Sequence, residues 1–145
     1  MSKKVCFLAG LTLHPLVGDN ETIQWRQEAK EYFDKYVYRF ITDAPEEYSV
    51  PDDFNDMGTK ESLRFDMRKV RGADVILVNL KDIDKSISAC DEIFYAFIQN
   101  KPVIGFLEKG STEDIHPWKL EQLDRVFVGK NAMTNAISYI SIHYS

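Results

Sequence analysis

The side chains with the greatest chemical capacity crowd into residues 82–92 of this 145-residue chain: Asp82, Asp84, Ser86, Ser88, Cys90, Asp91 and Glu92. Carboxylates can act as nucleophile, general acid or general base. Hydroxyls beside the free amides of a helix N-terminus suit a phosphate. The flanking segments show how such a stretch would be held. Residues 75–80 and 102–106 are short, nearly all-apolar and β-branched, so both read as strands buried on two faces of a parallel sheet. Between them lie the acidic loop and a helix from about residue 89 to 99, whose apolar Ile93, Ala96 and Phe97 recur at helical spacing. This strand–loop–helix–strand unit puts the loop at the carboxyl end of a strand, where open parallel sheets bind ligands. The same placement offers a plainer account of Asp91 and Glu92, because a carboxylate in a first helical turn is favoured by the dipole and the free amides.

Upstream, residues 5–9 form a β-rich run ending in Ala9-Gly10, the shape of a central strand followed by a loop that approaches a ligand. Asn20 or Thr22 caps the helix that follows, with Ile23, Arg26/Gln27, Ala29/Lys30 and Phe33 at helical spacing. Arg26 is either a phosphate-binding charge or a surface helix cation. Residues 36–41 read as a second, aromatic strand. Residues 42–58 carry Pro45, Pro51 and five acidic residues (Asp43, Glu46, Glu47, Asp52, Asp53) without apolar periodicity, so they form either a lid or a solvated acidic excursion. A helix over 59–71 follows, with Leu63, Met67 and Val70 on its buried stripe. Asp66 lies on that helix, and on its own reads as a partner of Lys69 or Arg64 on a wet face. After residue 106 come a polar loop, a helical turn over 118–123, a strand over 125–128 and a helix through Ala136, Ile137, Ile140 and Ser141.

The length fits one domain spanning residues 1–145. A net charge of -5 and the lack of a Lys/Arg cluster argue against nucleic-acid polymers or an anionic membrane as partner. Free nucleosides or nucleotides need only a local site. Cys6 lies in a strand and Cys90 at a helix start, so they read as reduced thiols of a cytoplasmic protein. His14-Pro15 interrupts the apolar opening, which therefore reads as a strand and not a signal peptide, and no stretch approaches the roughly 20 apolar residues of a membrane helix. His14, His116 and His143 are scattered without metal-ligand spacing, and neither a GxGxxG nor a Walker loop occurs.

Ala73-Asp74, a buried strand ending in Asn79-Leu80, an acidic loop with Ser86, then Asp91-Glu92-Ile93 and a helix closed by Lys101-Pro102-Val103-Ile104 resemble the nucleoside 2-deoxyribosyltransferase family, including the related nucleoside 5'-monophosphate N-glycosidases. The first strand with Ala9-Gly10 and the Trp25-Arg26 pair are similar too. The resemblance implies a flavodoxin-like, doubly wound α/β domain with a five-stranded, mostly parallel sheet, and no cofactor. It implies Glu92 as the nucleophile that attacks the sugar and Asp66 as the group that contacts the base and assists its departure. Asn131 and Met133 resemble an Asn-x-Met triplet that a neighbouring subunit lends to the site, which implies a homo-oligomer. Substrates would be nucleosides or nucleotides together with free nucleobases.

Three departures bear on activity. Phe7 stands where relatives carry a tyrosine whose hydroxyl orients the nucleophile, Leu11 replaces a proline, and Ser88-Ala89 replaces Gly-Thr. Ser86, six residues before Glu92, matches a serine that contacts phosphate in the monophosphate glycosidases, where transferases of free nucleosides carry a sugar-binding aspartate. Asp84 then remains for the sugar. The resemblance favours transfer of 2-deoxyribose between bases, with hydrolysis of a 2'-deoxynucleoside 5'-monophosphate as the alternative and a nucleotide-sensing module without turnover as a third reading.

Overall fold

The computed structural model describes residues 2–11, 20–45 and 59–145. Five strands form one sheet: β1 (Lys4–Gly10), β2 (Phe40–Asp43), β3 (Val75–Asn79), β4 (Val103–Leu107) and β5 (Arg125–Val128). Their order is β2-β1-β3-β4-β5 and every neighbouring pair is parallel. The fold is thus the flavodoxin-like α/β arrangement expected from the sequence, with its switch point between β1 and β3. Helices α1 (Asn20–Tyr36), α2 (Thr59–Gly72), α3 (Ile87–Ile98), α4 (Pro117–Leu120) and α5 (Ala132–Tyr144) connect or follow the strands, with 3-10 turns at Ile83–Lys85 and Thr112–Asp114.

Alternation along the strands divides the core. Cys6, Leu8, Val75, Leu77, Ile104 and Phe106 pack with Trp25, Phe33, Ala136 and Ile137 of α1 and α5. Phe7, Ala9, Ile76, Val78 and Val103 face the other way and pack with Val70 of α2 and Ala89, Ile93 and Ala96 of α3. Two aspartates fix where strands begin. Asp74 accepts from the Val5 amide through Oδ2 and donates its own amide to Val5 O, both at 2.8 Å. Asp124 does the same for Val103, at 2.7 and 2.8 Å. Each pairs a backbone amide at the sheet's amino edge, where buried polar groups need partners.

Three boundaries differ from the sequence reading. The second strand begins four residues later than expected: α1 continues through Tyr36, whose ring meets that of Tyr32 one turn earlier at 4.8 Å, and β2 runs over Phe40–Asp43. Helix α2 is rotated from its expected stripe, with Leu63 half exposed and Asp66 buried beside Val70 in the inward row. Helix α3 starts two residues early, at Ile87, and its Phe97 is half exposed. The question of a lid over 46–58 falls outside the described residues, as does His14. Among those described, no helix is long and apolar enough to cross a membrane.

Candidate active site

The β3-to-α3 segment owes its shape to a turn and a cap. Asp82 takes a left-handed conformation, φ 52°, which aspartate tolerates better than most residues. The 3-10 turn that follows delivers Ser86 in extended conformation, where its Oγ accepts from the Ala89 amide at 3.2 Å. Ser86 is therefore the N-cap of α3. Its hydroxyl also lies 3.4 Å from Ser88 Oγ. Early capping changes the standing of the two carboxylates: Asp91 and Glu92 fall in the second turn, beyond the reach of the free amides and the strongest part of the dipole. Asp91 is exposed, whereas Glu92 is only 1% exposed. Helix-end electrostatics therefore do not explain Glu92, since burying a carboxylate is costly.

Glu92 follows Ser88 by four residues, so the two share a helical face. Asp66 is 8% exposed and lies on α2, which packs beside α3 over the same sheet face as Phe7. The structure thus brings Ser86, Ser88 and Glu92 onto one helix, with Asp66 on its neighbour. The wet-face reading of Asp66 fails on burial. Lys69 lies 3.6 Å from Asp43 and donates to Ala44 O at 2.9 Å. Phe7 is fully buried in the cluster that holds Ile93 and presents no hydroxyl.

The remaining candidates are placed differently. Arg26 is not a surface cation: it is 5% exposed, and its guanidinium donates to Leu8 O at 3.3 Å, Gly10 O at 3.2 Å and Thr22 O at 2.8 Å while stacking over Trp25 at 4.8 Å. The missing Cβ of Gly10 makes room for Trp25, because a Cβ there would stand 3.0 Å from Trp25 Cζ2 and 3.3 Å from Asn79 Cβ. Asp84 is exposed and accepts from the His116 amide at 3.0 Å. Asn131 is exposed before α5, and Met133 is packed with Trp25 and Phe106 on the opposite sheet face from Glu92. Within one chain these two residues stand apart from Glu92, and the Met133 side chain is spent on its own core.

Lys119 escaped the sequence reading. It is buried and its Nζ donates to Cys90 O at 3.1 Å and Gln122 Oε1 at 2.8 Å, tying α4 to the first turn of α3 just before Glu92. Burial pushes its ammonium below the ordinary lysine range, against the charges of Cys90, Asp91 and Asp84. Burial likewise pushes the Cys90 thiol up. The available signal was His116-Pro117, since proline at the first position of a helix marks a start. A cavity of about 800 Å³ opens at the carboxyl ends of β1, β3 and β4; Asp84 lines it, while Glu92, Asp66, Ser86 and Ser88 do not. Among the described residues no cluster of three or more His, Cys, Asp or Glu side chains could hold a metal ion.

Ser86 supports α3 through its cap. Ser86→Ala is expected to cost about 1 kcal/mol of stability by urea unfolding, and Ser86→Asp to retain most of it. Equal stability of all three chains would remove the cap from the account.

No family model matches the chain, and no curated protein sequence does. Solved structures do. A conserved protein from Enterococcus faecalis V583 superposes with a TM-score of 0.71 at 13% identity, covering 95% of this chain and 99% of the other. A 2-deoxyribosyltransferase from the psychrotolerant bacterium Bacillus psychrosaccharolyticus superposes with a TM-score of 0.65 at 15% identity, covering 90% of each chain. At these identities the likeness establishes the shared fold.

Proposed function

We propose that the chain cleaves the N-glycosidic bond of a 2'-deoxynucleoside and transfers the 2-deoxyribosyl group to a second nucleobase through a covalent intermediate on Glu92. The observation that carries this reading is the buried Glu92 carboxylate, held one turn past Ser88 and beside the helix that buries Asp66. Shared fold with a 2-deoxyribosyltransferase supports it.

The Glu92 carboxylate attacks the anomeric carbon as the bond to the base nitrogen breaks, and Asp66 gives the departing base its proton. A nitrogen of the incoming base then attacks the same carbon from the opposite face, displacing Glu92 and returning a proton to Asp66. Two inversions retain configuration, as in retaining glycosidases. Ser86 and Ser88, with hydroxyls 3.4 Å apart at the start of α3, favour a second reading in which a 5'-phosphate binds there and water replaces the incoming base.

Exposed apolar residues Ile87, Phe94 and Ile98 line the outer side of α3, the helix that bears Glu92. A homo-oligomer would cover them, and a neighbour's Asn131 is the exposed member of the pair expected to reach the site. Both cysteines are free, which suits the reducing cytoplasm.

The test is chromatography of the protein incubated with 2'-deoxyinosine plus adenine, and separately with 2'-deoxynucleoside 5'-monophosphates. Deoxyadenosine formed only with intact Glu92 supports transfer. Base released only from monophosphates moves the assignment to the N-glycosidase, and saturable binding without product would leave a sensing module.

A further inference from the structure

A second cleft, of about 360 Å³, opens between the β3-to-α3 turn and α4, lined by Asp84, Cys90, His116, Trp118, Lys119 and Gln122. It lies away from the Glu92 side chain, which stands two residues past Cys90 and so about 200° further round α3. Proline at the first position and the His116 cap make α4 a single turn. Trp118 is turned outward from it, 78% exposed, while Lys119 is turned inward and buried.

The partners of Lys119 decide its chemistry. Its Nζ donates to two neutral oxygens, Cys90 O and Gln122 Oε1, and among the described residues no carboxylate comes within ion-pair distance of it. Two acceptors match the two hydrogens of a neutral amine and leave its lone pair free, whereas the third hydrogen of an ammonium has no acceptor among the described residues. Burial favours the same neutral form, against the charges of Cys90, Asp91 and Asp84. A neutral amine is a nucleophile toward carbonyl carbon. The Cys90 thiol, which donates to Ile83 O at 3.4 Å, shares the cleft. Trp118 sets an exposed aromatic face at its edge, with the His116 ring edge-on at 6.2 Å, and Asp84 disfavours an anion.

We propose that Lys119 is a nucleophilic amine and that this cleft captures a small, neutral aromatic aldehyde. The nitrogen lone pair bonds to the carbonyl carbon as the carbon–oxygen π pair moves onto oxygen. The oxygen then leaves as water with both amine hydrogens, and a carbon–nitrogen double bond remains. The ring of the aldehyde lies against Trp118.

Labelling of the full chain with benzaldehyde and cyanoborohydride, read by peptide mass spectrometry, tests this. At pH 7 Lys119 is expected to be alkylated about tenfold faster than any exposed lysine, because those are almost wholly ammonium there. The preference shrinks as pH rises to where they too lose a proton. Asp84→Asn keeps an acceptor for the His116 amide, removes a charge that favours the ammonium, and raises the rate. Trp118→Ala slows benzaldehyde about threefold and leaves acetaldehyde unchanged, as expected of a lost stacking face. o-Phthalaldehyde, which joins a neighbouring amine and thiol into a fluorescent isoindole with loss of two waters, marks Lys119 together with Cys90, and Cys90→Ser loses the signal. Lys119 among the slowest-labelled lysines overturns the nucleophile, and an isoindole undiminished in Cys90→Ser overturns its pairing with the thiol. Equal slowing of both aldehydes by Trp118→Ala, or of neither, overturns the aromatic ligand. Glu92→Ala leaves the labelling unchanged, so failure of the glycosyl-transfer reading and failure of this site are told apart.

Discussion

Replacing Glu92 with glutamine is expected to lower base release from a 2'-deoxynucleoside by roughly 10³-fold or more, because the nucleophile of a covalent mechanism has no substitute in place. The same change leaves the melting temperature unaltered or raises it. Glutamine keeps the volume of the side chain and removes its charge, and a buried neutral amide costs less than a buried carboxylate. Glu92 is 1% exposed, so the desolvation it bears is close to complete. A residue retained for stability would show the reverse, a lower melting temperature with turnover preserved, and that outcome would overturn the role of Glu92. Paired thermal unfolding and chromatography decide between them. Asp66→Asn separates the second role: it slows release most for bases that leave poorly without a proton, and least for those that leave as stable anions.

The parts of this fold that could be read from sequence are those where burial is uniform. Residues of β3 and β4 are buried on both faces, so an unbroken apolar run is unambiguous. Reading became harder where a polar residue points inward. Asp66 takes a place in the inward row of α2 that hydrophobic patterning assigns to an apolar residue, so the pattern runs through the half-exposed Leu63 instead. Ser86 was legible as a chemical group but not as a cap. Ile87, the first residue of α3, is 82% exposed and gives no amphipathic signal, so the periodicity begins two residues late and places Glu92 in a first turn it does not occupy. The buried lysine at position 119 has the same cause, since a cation in a short polar turn reads as surface whenever its acceptors, here Cys90 O and Gln122, cannot be located in advance.

Arg26 is the clearest case of a cation that holds structure, and its removal is expected to have the largest effect on stability. Three carbonyl oxygens, those of Leu8, Gly10 and Thr22, accept from its guanidinium in a buried setting. Arg26→Met keeps much of the stem but leaves those acceptors without their donor. At about 1–3 kcal/mol for a buried unsatisfied group, discounted because the losses share one relaxation, the cost is roughly 2–4 kcal/mol. For a chain of this size that is a fall of roughly 6–12 °C in the melting temperature. Arg26→Lys recovers only part, since a single ammonium lacks the planar fork that spans three acceptors. The acceptors also say why the loss reaches function. Leu8 and Gly10 are at the carboxyl end of β1, and Thr22 is in the first turn of α1, so the guanidinium joins the two ends of the loop between them. Arg26→Lys is therefore expected to raise KM at temperatures well below its melting point, equally for nucleosides and their monophosphates. A rise confined to monophosphates, with no change in melting temperature, would instead assign Arg26 to the phosphate and overturn its structural role.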